Sequence, residues 1–399
     1  MSKKLYLFTA RFPYVGAENF LEDEILFLSK KFEEVIIIPY KATTQGCRAV
    51  PGNCTIKAPI VEGKGGFLRQ ALFCPRTFVK LLNDFFSNRV FLSSKRFKVW
   101  LTAYAATNSI LNSKVVRWIE TDLKNDDVCY FYWGKWSNML SVFWSGKAHF
   151  VSRFHGQWDL WEDEYDNYAP LRKDIANALD AAVFISGKGE LYFQEHYPEC
   201  STRLFRLGTK DVGKVSSSTD GWLRVLSCST VYPLKRVDLI LQSVAEVSKT
   251  RKVEWTHLGG GEDYEKIREQ VKKLENERFR ARMLGQMSYS DVMEYYKNNP
   301  FDVFINLSTN EGIPVSIMEA ASCDVPIVAT NVGGTSEIVN EETGILVSEN
   351  PTPNEVAEAI LNIEKNRKDY APRDFWGKNY MAEKNYEQFA SFLSALSEK

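Results

Sequence analysis

The 399-residue sequence lacks the patterns that mark several large classes of protein. Its seven cysteines and four histidines show no C-x-x-C pair and no ligand spacing, which argues against a disulfide framework and a zinc site. Lysine plus arginine number 50 against 51 aspartate plus glutamate, and this near-neutral balance argues against a nucleic-acid-binding protein. No apolar run approaches transmembrane length, and the opening MSKK leads into KLYLFTA without a signal sequence. We therefore expect a cytoplasmic protein, and the length suits two domains.

The sequence does contain an alternation of apolar, β-rich runs with helical patterns, in two blocks. The runs of the first block are 4–9, 35–39, 128–132, 150–153, 182–186 and 203–206, and those of the second are 223–227, 253–258, 303–307, 327–330 and 345–347. Such alternation predicts α/β domains with parallel sheets, whose binding crevices lie at the carboxyl ends of the strands. Between the blocks, residues 208–221 are rich in Gly, Ser, Thr and charge, as expected of a linker.

The most informative stretch is residues 301–339, which contains the third strand of the second block and then reads TNEGIPVSIMEA. A turn is predicted at Glu311, with Pro314 as the first helical residue. The free amides of residues 312 to 316 would then face the crevice, and a helix N-terminus preceded by glycine favours an anion. We predict a diphosphate here, bound by Gly312, Ile313, Pro314 and Val315. Because carboxylates grip vicinal hydroxyls, Glu311 and Glu319 are predicted to bind sugar and ribose hydroxyls that flank the phosphates.

In this context the E-x7-E pair of Glu311 and Glu319, followed by VGGTSEIV, resembles the nucleotide-sugar site of retaining glycosyltransferases of family 4. The resemblance covers nearly the whole chain and is strongest to the bacterial subgroup that builds capsule, exopolysaccharide or O-antigen repeats. It implies the α/β GT-B fold, in which two Rossmann-like domains face each other across a cleft and a C-terminal helix crosses back to the first domain. It also implies the domain limits: 1–207 with 373–399 on the acceptor side, and 208–372 on the nucleotide-sugar side.

Further candidates for the donor site follow other strands of the second block. Lys235 and Arg236 stand in a strand-to-helix loop, where two cations can neutralise a diphosphate and stabilise it as the leaving group. Family members usually carry an arginine five or six residues before the lysine, and Ser229 stands in that region here. We expect Ser229 to contact the donor. By resemblance, Gln286 and Met287 lie nearest the nucleobase, although Met287 is equally suited to the core.

The first block supplies candidates for the transferred sugar and the acceptor. His155 directly follows a strand, and the resemblance implies that it touches the transferred sugar through a hydroxyl rather than as a base. A structural role in the core is the alternative. Gly16 would let the helix near Glu18 begin close to the phosphates. The aromatic run FYWGKWSN at 131–138 suits stacking on a sugar, or filling the core.

Residues 64–98 differ in character from the rest of the chain. They carry eight basic residues against one acid, a net charge of +7 (8 − 1), interleaved with seven phenylalanines. A basic, Phe-rich helical pair suits an anionic membrane surface, where each nearby Lys or Arg contributes about 1 kcal/mol. The alternative is that the phenylalanines belong to the core and the charges form an ordinary solvated face.

Together these features predict a retaining hexosyltransferase that uses a nucleoside diphosphate sugar as donor and needs no other cofactor. The acceptor would be a saccharide, free or lipid-linked, in surface polysaccharide synthesis. Retention is implied by the family, and with no evident covalent nucleophile a same-face mechanism with the leaving phosphate as base is favoured. No Asp-x-Asp occurs, so no metal is expected. Two alternatives remain: a non-catalytic sugar-nucleotide-binding partner of a transferase, and a sugar-nucleotide epimerase of the same fold.

Overall fold

The computed structural model describes residues 3–15, 18–44, 46–61, 63, 71 and 73–398. Contacts within the chain divide it into two compact units, one formed by Met1–Leu207 with Asn385–Lys399 and the other by Gly208–Lys384. Residues 373–384, predicted from the sequence to belong to the first domain, lie in the second unit. There Arg373 pairs with Asp211 at 2.5 Å, and Trp376 Nε1 donates to Thr209 Oγ1 at 2.9 Å.

The first unit is built on one parallel sheet of seven strands in the order β3-β2-β1-β4-β5-β6-β7. The strands are β1 Lys4–Thr9, β2 Glu34–Pro39, β3 Cys54–Ile56, β4 Val128–Phe131, β5 His149–Phe154, β6 Ala181–Phe184 and β7 Thr202–Leu204. The helices are α1 Leu21–Lys31, α2 Pro75–Ser87, α3 Ser94–Asn112, α4 Lys114–Asp122, α5 Leu140–Trp144, α6 Gln157–Leu160, α7 Arg172–Ala178 and α8 Gly187–His196.

The second unit repeats the plan with six parallel strands in the order β10-β9-β8-β11-β12-β13. The strands are β8 Leu223–Cys228, β9 Val253–Leu258, β10 Phe279–Met283, β11 Val303–Asn306, β12 Ile327–Thr330 and β13 Gly344–Val347. The helices are α9 Val237–Val247, α10 Tyr264–Leu274, α11 Tyr289–Asn298, α12 Val315–Ser322, α13 Pro353–Lys365 and α14 Pro372–Asn379, followed by α15 Ala382–Leu396. The predicted α/β class with two Rossmann-like sheets is confirmed.

Two strands were not predicted, and both are at a sheet edge. β3 has only three residues, and β10 reads FRARM. An edge strand buries little on its outer side, so β10 alternates buried or half-buried Phe279, Ala281 and Met283 with exposed arginines. Neither segment therefore shows the continuous apolar run that marks the central strands.

A buried ion pair lies in the first unit beneath the C-terminal helix. Arg153 of β5 and Glu24 of α1 are both fully buried and pair with each other. The guanidinium carbon of Arg153 lies 4.2 Å from the centre of the Phe389 ring on α15. Phe389, with Ala390 and Leu393, belongs to the same apolar cluster as the inner residues of β1 and α1. From Asn385 onward, α15 is thus part of the interior of the first unit.

In each sheet the chain adds strands first toward one edge and then toward the other, and the loops that follow the two central strands meet where this order reverses. In the second unit the chain order reverses between β8 and β11, which pair directly. In an open parallel sheet, this switch point is where the strand ends leave a crevice for ligands. The loop after β8 carries Lys235 and the loop after β11 carries Glu311. Of the helices in the described ranges, none has the length and apolar character needed to cross a bilayer.

Candidate donor site in the second unit

Glu311 is the centre of a network of charge and hydrogen bonds at the switch point of the second sheet. Its carboxylate is 8% exposed and forms an ion pair with the ammonium of Lys235. The same oxygen, Oε1, accepts hydrogen bonds from Ser308 Oγ at 2.5 Å and Asn306 Nδ2 at 3.5 Å. Charge-assisted bonds of this kind hold the carboxylate in one place. The structure therefore brings the predicted residues Glu311 and Lys235 together.

Arg236 stabilises the loop that carries Glu311. Its backbone is left-handed, with φ 47°, where the 3-10 turn ends and α9 begins. Its guanidinium donates to the carbonyls of Leu307 at 2.5 Å, Ser308 at 2.9 Å and Glu349 at 2.8 Å. These three bonds, with a 3.4 Å bond to Asn350, use four of its five N–H donors. Only the remaining hydrogen on Nη1 is therefore available for the predicted contact of Arg236 with the donor phosphates.

The N-terminus of α12 presents free amides next to Glu311. Pro314 is the residue before the helix rather than its first residue, and the helix begins at Val315. In the described part of the chain, the amides of Gly312, Ile313, Val315 and Ser316 have no backbone acceptor. Such amides, aligned with the helix dipole, favour a negative charge. Lys235 and this helix end thus give the loop positive potential beside an acidic side chain.

Gly333 and Gly334 are required by the close approach of another loop to the Glu311 turn. A Cβ on Gly333 would stand 1.7 Å from the carbonyl oxygen of Glu311, and its φ of 53° is left-handed. A Cβ on Gly334 would stand 2.4 Å from the Gly312 carbonyl, to which its own amide donates at 2.9 Å. The VGG sequence therefore works by clamping the turn that orients Glu311.

Glu319 lies on α12 and is 5% exposed. Burial raises the pKa of its carboxyl to about 8, and the neighbouring Tyr296 hydroxyl partly opposes that rise. A carboxyl removed from water favours its neutral form, so Glu319 is largely protonated at neutral pH. Its helix also carries the free amides, and the predicted ribose-binding role stays a prediction.

The remaining donor-site candidates lie around a glycine-rich turn after β9. A Cβ on Gly259 would meet the carbonyl oxygen of Ser229 at 1.9 Å, and the amide of Gly259 donates to the Gly285 carbonyl at 2.9 Å. The turn thus links Ser229 to the segment that carries Gln286 and Met287. Gln286 is exposed and Met287 is half-buried. The structure places these residues on neighbouring loops of the second unit.

His155 lies in the first unit, after β5, and contacts two aromatic rings. Ring centres lie 4.8 Å away for Tyr132 and 4.2 Å away for Trp133. Its backbone amide donates to Asp159, which also accepts from the amide of Gly134 at 3.1 Å. Neither imidazole nitrogen makes a hydrogen bond within the described residues, although Nδ1 lies 3.5 Å from Asp159 Oδ2. The ring is therefore held by tilted contacts with these aromatic rings and keeps its nitrogens for another partner.

Gly16 lies outside the described residues, but its neighbour Glu18 has a defined position. The Glu18 carboxylate accepts from the amides of Ala10, Arg11 and Phe12 at 2.6 to 2.8 Å and from Trp133 Nε1 at 2.7 Å. Its φ of 56° is left-handed. Glu18 thus joins the loop after β1 to the loop after β4, which is an organising role rather than the helix start that the sequence suggested.

Several residues that shape these sites were missed at the sequence level. Asn306 and Ser308 hold Glu311, and Tyr296 faces Glu319. The sequence contains one usable signal, because Ser308 stands three residues before Glu311 in a turn, where a hydroxyl reaches a nearby side chain. Tyr296 comes from a different helix, and no local spacing indicates its position.

Comparison with known proteins agrees with this geometry. Residues 214–379 match the family model described as glycosyl transferases group 1, so the family is supported over the second unit. An uncharacterized glycosyltransferase, MJ1178, of Methanocaldococcus jannaschii is 28% identical over 169 residues, or 40% of this chain and 46% of that protein. The O-antigen biosynthesis glycosyltransferase WbnH of Escherichia coli is 34% identical over 90 residues, or 23% and 24%. The matches thus span less than half the length of these curated relatives.

Solved structures match over nearly the whole chain. Alr3699/HepE of Anabaena, solved in complex with UDP and glucose, superposes with a TM-score of 0.63 at 16% identity, covering 98% of this chain and 99% of that one. Sucrose-phosphate synthase of Thermosynechococcus elongatus superposes with a TM-score of 0.67 at 15% identity, covering 99% of each. At such identities the likeness shows the fold, and the predicted GT-B class is confirmed.

Proposed function

We propose that this protein is a retaining glycosyltransferase that moves a hexosyl unit from a nucleoside diphosphate sugar to a saccharide acceptor. The observation that carries the proposal is the Lys235–Glu311 pair beside the free amides of α12, at the switch point of the second sheet. The match of residues 214–379 to glycosyl transferases group 1 supports it.

In this proposal the donor diphosphate occupies the N-terminus of α12 and takes Lys235 as its counter-ion. Lys235 would exchange Glu311 for phosphate, which frees the Glu311 carboxylate to accept hydrogen bonds from hydroxyls of the transferred sugar. Glu319, eight residues after Glu311 and about one turn into α12, takes the ribose. Lys235 then acts most strongly when the diphosphate leaves, because that is when negative charge grows on it.

The proposed reaction exchanges one bond at the anomeric carbon. The bond from this carbon to the diphosphate oxygen breaks, and the acceptor hydroxyl oxygen bonds to the same face of the sugar. The hydroxyl proton passes to the departing diphosphate, so no protein nucleophile and no metal take part. His155 would touch the transferred sugar through a hydroxyl.

The acceptor is proposed to be lipid-linked, in the synthesis of a surface polysaccharide. The support is a surface made by α2, the 3-10 turn 90–92 and the first two turns of α3, which we call the α2–α3 surface. It exposes nine large apolar side chains: Phe73, Phe78, Val79, Leu82, Phe86, Phe91, Leu92, Phe97 and Leu101. Its basic residues number six, and Asp84, its one acid, is buried. Apolar and basic groups exposed together suit an anionic bilayer.

The structure changes two details of that surface. Phe85 of the basic segment is half-buried and packs edge-on against Trp100 with ring centres 5.0 Å apart. Phe86 and Phe91 are 61% and 56% exposed and are candidates for insertion into a bilayer. Residues 64–70, the start of the predicted basic segment, lie outside the described residues.

Purified protein incubated with a panel of nucleotide sugars tests the proposal. We expect slow hydrolysis of one donor to free sugar and nucleoside diphosphate, and weaker donor binding by Glu319→Ala. Losing one or two hydrogen bonds to this neutral carboxyl costs about 0.5 to 1.5 kcal/mol each. Glu341→Ala, an exposed glutamate of the same unit, is the matched control. Binding without hydrolysis would point to a non-catalytic partner, and an isomerised sugar to an epimerase. A Glu319→Ala protein that binds donor normally would remove the site assignment.

A further inference from the structure

The first unit contains a partly open cavity of about 270 Å³ that the proposed donor chemistry does not use. It lies between α3, the loop after β4 and the segment from Trp161 to Arg172. Sixteen residues line it. Four aromatic side chains form much of the wall: Trp136, Trp161, Tyr165 and Tyr168.

The charge of this cavity has one sign. Lys98, Lys135 and Arg172 line it, and none of the sixteen lining residues is acidic. Arg172 is 8% exposed; its Nε lies 3.8 Å from Glu162 Oε1, and its Nη1 has no hydrogen-bond partner within the described residues. Asn138, which is 1% exposed and also lines the cavity, keeps Oδ1 unpaired in the same way. Glu162 is already a counter-ion of Arg172, and the unused Nη1 donor favours a further acceptor oxygen, such as that of a phosphate, in the cavity.

Two hydroxyl groups of the wall are already used by the protein. The Tyr168 hydroxyl donates to Asp84, and Thr102 Oγ1 donates to the Lys98 carbonyl at 2.9 Å. A sugar ring here would leave several hydroxyls without partners, at about 1 to 3 kcal/mol each. The walls instead suit an apolar body, and Val99, Ala103, Met139 and Ile175 complete them.

The size and position of the cavity further limit which ligands it can hold. At roughly 30 Å³ per water-sized unit, 270 Å³ holds roughly nine such units, which corresponds to a short stretch of apolar chain. Lys98 and Thr102 of α3 line the cavity, while Phe97 and Leu101, each one position earlier on the helix, are exposed on the α2–α3 surface. Successive helix positions lie about 100° apart, so the apolar stripe runs beside the cavity wall.

We propose that this cavity binds the phosphate-bearing end of an apolar chain, that is, an alkyl or isoprenyl phosphate. The apolar walls hold the first part of the chain, and the cations Lys98, Lys135 and Arg172 hold the phosphate. This proposal rests on the proposed function and extends it, because the cavity would hold the lipid phosphate of a lipid-linked acceptor.

Calorimetric titration of the full-length protein with octyl phosphate, below its micelle concentration, tests the proposal. We expect saturable binding with one site. Octyl glucoside has the same chain with an uncharged sugar head, and inorganic phosphate has no chain. Each should bind at least tenfold more weakly. Equal binding of octyl phosphate and octyl glucoside would mean association with the exposed apolar stripe and would overturn the proposal.

Variants of α3 locate the binding. Lys98→Glu should weaken octyl phosphate binding at least tenfold, whereas Lys95→Glu, an exposed lysine on the same helix that does not line the cavity, should change it less than twofold. Val99→Phe fills the cavity from a half-buried position and should abolish binding, with a thermal melt to show that the protein stays folded. Equal effects of the two lysine variants, or normal binding by folded Val99→Phe, would place the ligand elsewhere.

Failure of the cavity proposal is distinct from failure of the proposed function. Donor hydrolysis without octyl phosphate binding would overturn only the proposal that the cavity binds a lipid phosphate. If octyl phosphate binds with the expected variant pattern but no donor is hydrolysed, the proposed transferase activity is overturned and the lipid-phosphate site stands.

Discussion

Glu319→Gln removes an ionisable carboxyl from the interior of the second unit while keeping its shape. In the wild type, burial raises the pKa of this carboxyl from 4.5 to about 8. Between those two values the folded protein holds a proton that the unfolded chain has already released. The free energy of unfolding is therefore highest below pH 4.5 and falls as the pH rises through 8. Glutamine cannot titrate, so the variant should lose this dependence.

The size of the effect follows from the shift. One pKa unit corresponds to about 1.4 kcal/mol, so the 3.5 units between 4.5 and about 8 limit the loss to about 5 kcal/mol. Between pH 5 and pH 9 the wild type should lose about 4 kcal/mol relative to Glu319→Gln. This is large beside the 5 to 15 kcal/mol that typically stabilises a domain.

Urea denaturation of the full chain at pH 5, 6, 7, 8 and 9 measures the difference between the two proteins. Using the difference cancels other titrating groups, which both proteins share. Glu341→Gln, at an exposed position, is the control and should follow the wild type at every pH. If the wild type and Glu319→Gln keep a constant difference across this range, the carboxyl is ionised in the folded protein and the reasoning from burial fails.

Three further outcomes are expected. Lys235→Ala should lower kcat by a larger factor than it weakens donor binding, because the charge of Lys235 matters most as the diphosphate leaves. Lys266→Ala, at an exposed position, is the control. A rise in KM with kcat unchanged would mean that Lys235 only binds the donor in the ground state. Donor hydrolysis should survive EDTA, and a complete loss that Mg²⁺ or Mn²⁺ restores would contradict phosphate neutralisation by Lys235 and the α12 amides. The protein should sediment with anionic but not neutral liposomes at low salt, and changing Arg89, Lys95, Arg96 and Lys98 to Glu should abolish this; unchanged sedimentation would make the α2–α3 surface ordinary.

The sequence predicts the second unit well because its signals are local. The strand β11, the turn at Glu311 and the helix α12 follow one another within twenty residues, and each has its own pattern of apolar, turn and helical residues. Lys235 could be named because a cation in a strand-to-helix loop is also a local feature. Their ion pair follows once β8 and β11 are neighbours.

The rest depends on residues far apart in the chain. Arg236 was expected to face the donor, yet carbonyls of Leu307, Ser308 and Glu349 take most of its donors. Among the described phenylalanines of the basic segment, Phe85 is half-buried against Trp100 and the others are exposed, a division that composition alone cannot assign. The cavity beside α3 gathers residues from 98 to 175, so no single stretch of sequence shows it.

The buried pair of Arg153 and Glu24 has a consequence for the order in which the chain folds. Phe389 covers this pair, so the first unit stays incomplete until the ribosome has made the entire second unit and then α15. The second unit is one continuous segment and can fold earlier, although domains generally form in order from the N-terminus. Until Phe389 arrives, the pair lies open to water on a half-built core. We therefore expect a chain that ends at Lys384 to show protease cleavage within residues 3–207 and protection within 208–384, and equal protection of both units would contradict this order.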